Sequence, residues 1–163
     1  MSVATSGHRI ISTLHTASAW TIPSRLLDLG AQRFYISQTL SVGISQRLVK
    51  LLCPKCQVQV PVPAADKLVR MGLQPERFEG STHLAKARGC PYCHGRGSYG
   101  RRAIFEAMLV DDEIREAIEE GATSLDLRKI SARRGEQTIF DKALAEALAG
   151  SISLQEACTT RCS

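Results

Sequence analysis

The sequence predicts an α/β fold with a small metal-binding insertion, on three observations. Short aliphatic runs at residues 9–14, 45–52 and 103–110 have the length and the polar boundaries of strands. Elsewhere apolar residues recur at helical spacing. Aromatics make up only 5% of the 163 residues, so Ala and Leu carry much of the packing, and both favour helices. The third observation is a repeated cysteine motif, Cys53-Pro54-Lys55-Cys56 and Cys90-Pro91-Tyr92-Cys93. Each motif puts two thiols on one tight turn, and a tetrahedral zinc ion needs four.

The elements follow in order. Arg9-Ile10-Ile11-Ser12-Thr13-Leu14 predicts a buried strand ending at His15. Thr16-Ala17-Ser18 leads into a helix that Ser18 or Thr21 would cap, with Pro23 in its first turn and Gly30 at its end. A second helix is expected over residues 32–42, then a strand over 45–52 that runs into Cys53. Residues 53–100 form the metal-binding unit, with a short helix over 64–71 between Pro63 and Gly72 and a strand returning from Thr82. The strand at 103–110 stops at Asp111-Asp112, whose carboxylates suit the start of a helix continuing over 113–120. Ser124 is expected to cap a helix that Gly135 closes. Thr138 precedes another over 139–149, and Ser153 opens a last short one. Ile139, Ala143, Leu144, Ala147 and Leu148 share one helical face, which predicts a core stripe.

The cysteines carry the most chemistry. The second pair continues as Cys90-x-x-Cys93-x-Gly95-x-Gly97, and the glycines let the backbone fold under the sulfurs and aim N–H groups at them. Two such pairs predict structural zinc on Cys53, Cys56, Cys90 and Cys93, with a redox dithiol as the main competitor. His83 and His94 are substitute ligands in principle, but a His directly after a ligand cysteine is poorly placed for the same ion. Cys158 and Cys162 are expected to be spare thiols. Two other zinc modules compete for the motif. A nucleic-acid-binding ribbon would interleave aromatics with basic residues, yet only Tyr92 and Tyr99 lie near the second pair. A co-chaperone-like zinc domain would repeat the glycine pattern after the first pair, where Gln57-Val58-Gln59-Val60 stands instead.

Charge and length narrow the class. The formal charge is +5, and four thiolates with one Zn²⁺ would contribute −2, leaving a weakly basic chain from which no nucleic-acid partner follows. No apolar stretch approaches the roughly 18 residues of a membrane span. The N-terminal residues lack the layout of an export signal, so thiolates and zinc are expected in a reducing cytoplasm.

A second constellation is Thr5-Ser6-Gly7-His8-Arg9-Ile10-Ile11-Ser12-Thr13-Leu14-His15-Thr16, with one histidine at each end of the apolar run. By itself it fits a capping His and an ordinary loop His. The stretch resembles the His box of the type II/type IV secretion ATPases, the motors of type II secretion and type IV pilus assembly. The resemblance continues through Arg25-Leu26-Leu27-Asp28-Leu29-Gly30, Ser45-Gln46-Arg47-Leu48-Val49, the tetracysteine element, Gly100-Arg101 and Glu106. It closes on Gly135, Thr138, Leu144, Gly150, Ser153, Leu154 and Glu156. The departures are Ser6 before Gly-His, bulky Trp20, Ser98 after the second knuckle, and the lack of a phosphate-binding loop or an acidic magnesium motif in these residues.

The resemblance implies the C-terminal part of a RecA-like ATPase domain with a helical C-terminal subdomain. It divides the chain into a partial core at 1–52, a zinc subdomain at 53–100 and a strand with helices at 101–163. It implies that His15 sits near the γ-phosphate of ATP, with His8 on the nucleotide side. Arg25 and Arg47 become candidates for charge stabilisation or subunit contacts, against structural ion pairs as the plainer reading. It further implies a hexameric parent using ATP and Mg²⁺, peripheral to the cytoplasmic side of the inner membrane and docked on assembly-platform proteins. The 163 residues alone are expected not to hydrolyse ATP.

Overall fold

A computed structural model describes residues 6–161, so Thr5 and Cys162 lie outside the described residues. The chain gathers into two compact units. The first contains residues up to Gln46 together with Phe105–Thr138, and the second contains Arg47–Ile104 together with Ile139–Arg161. Strand β1 (Val42–Leu52) pairs with β4 (Ser98–Leu109), and each contributes residues to both units.

In the first unit, Ser18 caps a single 3-10 turn, Ala19–Thr21, its hydroxyl accepting from the Trp20 N–H at 3.1 Å. Helix α1 (Ile22–Asp28) follows with Pro23 in its first turn, where an absent N–H leaves nothing unpaired. Helices α2 (Arg33–Thr39), α4 (Asp112–Glu120) and α5 (Ser124–Arg133) complete the unit. Trp20, Ile36, Met108, Ile114, Ile118 and Leu127 form its core. Strand alternation also turns one carboxylate inward. Glu106 is buried, and its Oε1 accepts from the Ala19 N–H at 2.9 Å, supplying a partner for an amide the 3-10 turn leaves free. Ser37 and Gln38 of α2 donate to Glu119 of α4 at 2.6 and 3.1 Å, and the serine hydroxyl is the main reason that carboxyl lies below its ordinary range.

Three expectations change here. The helix expected over residues 32–42 stops at Thr39, because Val42 already belongs to β1. Residues 9–14 form no strand. Ile11 is fully exposed and Ile10 is 53% exposed, because an extended segment with no neighbouring strand has no ladder for its amides. Thr123, not Ser124, caps α5. The reciprocal capping box needs a polar partner three residues on. Asp126 occupies that place for Thr123, whereas Leu127 occupies it for Ser124.

The second unit contains the rest of β1 and β4 with β2 (Gln57–Pro61), α3 (Ala65–Arg70), β3 (His83–Ala87), α6 (Ile139–Leu148) and α7 (Leu154–Thr159). Strand β2 has no counterpart among the expected elements. It pairs antiparallel with β3 in the register Gln57↔Ala87 to Pro61↔His83. The stripe on α6 is core. Ile139, Ala143 and Ala147 pack with Val49, Ile104, Ile152 and Ala157, while Leu144 packs with Leu68, Phe78 and Leu84. Ser153 opens α7 by accepting from the Glu156 N–H at 3.1 Å, and Glu156 Oε1 accepts from the Lys50 N–H of β1 at 2.8 Å. Arg161 donates to the Met71 and Gly72 carbonyls at 2.8 and 2.6 Å and lies over the Phe140 ring. Cys158, half-buried against the cluster around Leu144, has its thiol pushed up by burial.

The start of α4 supplies a test. Asp111 accepts from the Ile114 N–H at 3.1 Å and pairs with Arg134 at 2.8 Å, and the backbone bond first and Arg134 second hold its carboxyl below the ordinary value. Replacing Asp111 with Ala is expected to cost about 1–2 kcal/mol at neutral pH, measured by urea unfolding through the single, buried Trp20. Because the folded-state pKa is depressed, this contribution is complete above the unfolded value and fades as pH falls through the folded one. The gap between the two proteins should therefore shrink below about pH 4. An unchanged gap in acid would assign the loss to something other than the carboxylate.

Candidate metal centre

Two strand pairs meet at the cysteine turns. Strand β1 runs into Cys53 and β2 leaves from Cys56, while β3 approaches Cys90 and β4 leaves just after Cys93. The turns are locked to each other through the backbone. Cys53 N–H donates to the Gly97 carbonyl at 3.0 Å, and Arg88 N–H donates to the Cys56 carbonyl at 3.2 Å. The β2–β3 register thus brings thiols 37 residues apart in sequence to one point.

The four sulfurs lie within 4.8 Å of one another. Cys53 and Cys90 Sγ are 3.9 Å apart, Cys56 and Cys93 3.9 Å, and Cys90 and Cys93 3.8 Å. Zn–S bonds of about 2.3 Å in a tetrahedron require sulfur separations of about 3.8 Å, so the set fits a four-thiolate ion. The same distances are far too long for a disulfide, whose sulfurs sit about 2.05 Å apart. Cys53 and Cys93 are buried, and Cys56 and Cys90 are half-buried, as in a closed structural site with no place for substrate.

The backbone prepares the sulfurs for negative charge. Cys93 Sγ accepts from the N–H groups of Cys90 and Gly97, both at 3.2 Å. Burial works against ionisation of this thiol, but those N–H bonds outweigh it, bringing Cys93 down to about 6. Cys56 goes the other way, pushed up to about 12 chiefly by burial, with the neighbouring thiols adding to the effect. Gly97 donates to sulfur as its place in the motif predicts. The Gly95 N–H instead goes to the Cys90 carbonyl at 3.0 Å, closing the turn. Gly89 matters most sterically. Its φ is +91°, and a Cβ there would stand 2.5 Å from the Gly95 carbonyl oxygen.

His94 is exposed just after Cys93, at φ 52°, the left-handed region rarely used by non-glycine residues. His83 is exposed and hydrogen-bonded to Thr82 Oγ1 at 2.9 Å, so neither histidine joins the sulfur cluster. The remaining candidates sit on the surface. His8, His15 and Arg25 are exposed in the first unit, and Arg47 is exposed in the second. His8 shares a hydrogen bond with Ser6 Oγ at 3.1 Å, and among the described residues none of these four side chains bonds to another. Glu106 and Glu156 are the polar residues whose work only the folded chain displays, since each satisfies a backbone N–H distant in sequence.

The profile of the family described as Type II/IV secretion system protein matches residues 1–159. The chain belongs to this family. Over 153 residues, 94% of its length, it is 40% identical to the type IV pilus assembly ATPase PilB of Thermus thermophilus. It is 40% identical over 150 residues to the type II secretion system protein E of Klebsiella pneumoniae, and 35% identical over 154 residues to a putative type II secretion system protein E of Escherichia coli. It spans 17% of the length of the first of these relatives and 29% of each of the other two. Among the described residues no helix is long and apolar enough to cross a membrane.

Metal uptake tests the tetrad directly. With its thiols reduced, the chain is expected to bind one divalent ion, and Co²⁺ in its place should show the absorption of a tetrahedral tetrathiolate. Cys93→Ser and Gly89→Ala should each lower metal retention against a competing chelator, and acid should release the ion as the thiolates protonate. Six titratable free thiols in a fully folded chain that holds no metal after exposure to Zn²⁺ would overturn the assignment.

Proposed function

We propose that this chain serves as part of a hexameric ATPase that drives type II secretion or type IV pilus assembly. The observation that carries the proposal is the match over nearly its whole length to relatives named for those two systems. In this reading residues 1–52 belong to a partial RecA-like core, 53–100 to a zinc subdomain and 101–163 to a strand with a helical subdomain. Zinc on Cys53, Cys56, Cys90 and Cys93 holds the second of these in shape as a docking element for assembly-platform proteins. The assembly works on the cytoplasmic face of the inner membrane.

The nucleotide chemistry falls to His8, His15, Arg25 and Arg47 and to parts of a longer protein. ATP and Mg²⁺ are held mainly by a phosphate-binding loop, and the transferring phosphoryl group needs positioning and charge stabilisation. His15 senses the γ-phosphate or orients water, with His8 beside the nucleotide. Arg25 and Arg47 stabilise charge or meet a neighbouring subunit. All four side chains are exposed and accessible to such partners. The sheet supports the same reading. Val42, Ile44, Phe105 and Leu109 alternate with the buried residues of β1 and β4, and each is between 47% and 63% exposed. A run of apolar side chains of that kind is the face a further structural layer covers.

Two measurements test this. The purified chain is expected to show no Mg²⁺-dependent ATP turnover above a His15→Ala control. A chimera carrying this chain in place of the matching segment of the Thermus thermophilus relative is expected to turn over ATP, and His15→Ala in that chimera to slow it at least about tenfold. A folded, ATP-binding chimera without turnover would count against the ATPase reading. Turnover indifferent to His15→Ala would remove the histidine from it.

A further inference from the structure

The second unit is strongly basic, with thirteen Lys and Arg against six Asp and Glu, although the whole chain carries only +5. Part of that charge lines one feature. An open-sided groove of about 740 Å³ beside the cysteine turns is bordered by Lys50 of β1, Lys86 of β3, Arg96 of the second turn and Arg101 of β4. All four are exposed, and among the described residues no carboxylate forms a salt bridge with any of them. The contrast is Arg102 next door, which pairs with Glu146. Glu156 is the one acid in the wall, and one of its oxygens is taken by the Lys50 N–H. Four cations on four separate elements keep their mutual repulsion unless a ligand neutralises it, and a cleft lined by one sign of charge concentrates the opposite sign.

We propose that this groove docks an extended acidic segment of a partner protein, its Asp and Glu side chains meeting Lys50, Lys86, Arg96 and Arg101. The volume and the spread of cations over four elements suit a strand of several carboxylates better than one compact oxyanion. Single-stranded nucleic acid fits less well. Tyr99 is the aromatic residue in the lining, and it is already packed on Tyr92 with ring centroids 4.6 Å apart, which leaves no row of stacking platforms. The proposal rests on the reading of the metal-bearing unit as a docking element and names the chemistry of what docks. The two strand pairs diverging from the cysteine turns set the positions of the four cations, so the groove persists only while the tetrad is intact.

The test uses the full metal-loaded chain and a fluorescein-labelled decapeptide of alternating Asp and Glu, followed by anisotropy at about 50 mM salt, where surface charges are only partly screened. Binding is expected, weakening as salt rises. The double variant Lys86→Gln/Arg101→Gln should bind about tenfold more weakly. Lys67→Gln/Arg70→Gln removes the same charge from α3, outside the groove, and should bind within about twofold of the unaltered chain. Equal losses in both variants would show general attraction and overturn the groove. So would absence of binding, or groove-dependent binding of a single-stranded oligonucleotide or an anionic phospholipid vesicle without binding of the peptide. Metal content measured on each sample separates the two readings. A metal-replete chain that ignores the peptide refutes the groove alone, whereas a chain that takes up no metal refutes the zinc subdomain.

Discussion

Four sulfur atoms held within 4.8 Å of one another are a constraint that an ordinary core does not impose. Thiols at that spacing resist ionisation together, because each new thiolate faces its predecessors. Burial pushes Cys56 up, while for Cys93 the N–H groups of Cys90 and Gly97 outweigh burial and bring it down. A divalent cation at the centre would remove that repulsion and turn four mutually repelling groups into one anchor. The second unit is strung from the cysteine turns. Four strands begin or end at the cysteine turns, and two backbone hydrogen bonds tie one turn to the other. A Cβ at Gly89 would strike the Gly95 carbonyl oxygen, and one at Gly97 would press on Ala87 of β3.

The two units solve the stability problem differently. The first relies on an aliphatic core around Trp20 and Met108, with helix ends completed by Ser18, Asp111 and Thr123. The second divides its apolar contacts between two clusters, one on Ile139, Ala143 and Ala147 of α6 and the other on Phe140, Leu144 and Leu148, and adds polar ties across long sequence distances. Arg161 and the Arg77–Asp141 pair join the C-terminal helical stretch to residues between the two cysteine pairs, and Glu156 joins it to Lys50 of β1. A structural centre with all ligand positions on protein side chains does no chemistry itself. Its value is shape, and the shape presents a basic groove on one side of the cysteine turns.

Much of the local structure was legible because it depends on neighbours in sequence. Pro23 and Gly30 mark the ends of α1, Asp111 caps α4, Ser153 caps α7, and the spacing of Ile139, Ala143 and Ala147 announces the buried face of α6. The cysteine spacing likewise announced the four sulfurs that gather at one point. Failures came where a distant partner decides. Residues 9–14 have a strand's composition but no strand beside them, and β2 exists because β3 pairs with it. The Thr123 cap was missed for a different reason, since Asp126 three residues later was the signal to follow.

Family membership, the paired cysteines and most helix boundaries are therefore properties of the sequence by itself, each carried by residue type at short spacing. Only the tertiary structure decided that Glu106 and Glu156 turn inward to meet the N–H groups of Ala19 and Lys50. It also decided that Lys50, Lys86, Arg96 and Arg101, scattered along fifty residues of chain, share one groove. The physical reason is common to both. A carboxylate finds its donor, and a cation its neighbours, across distances that sequence does not measure, and only strand pairing and the closing of the four-sulfur cluster bring them together.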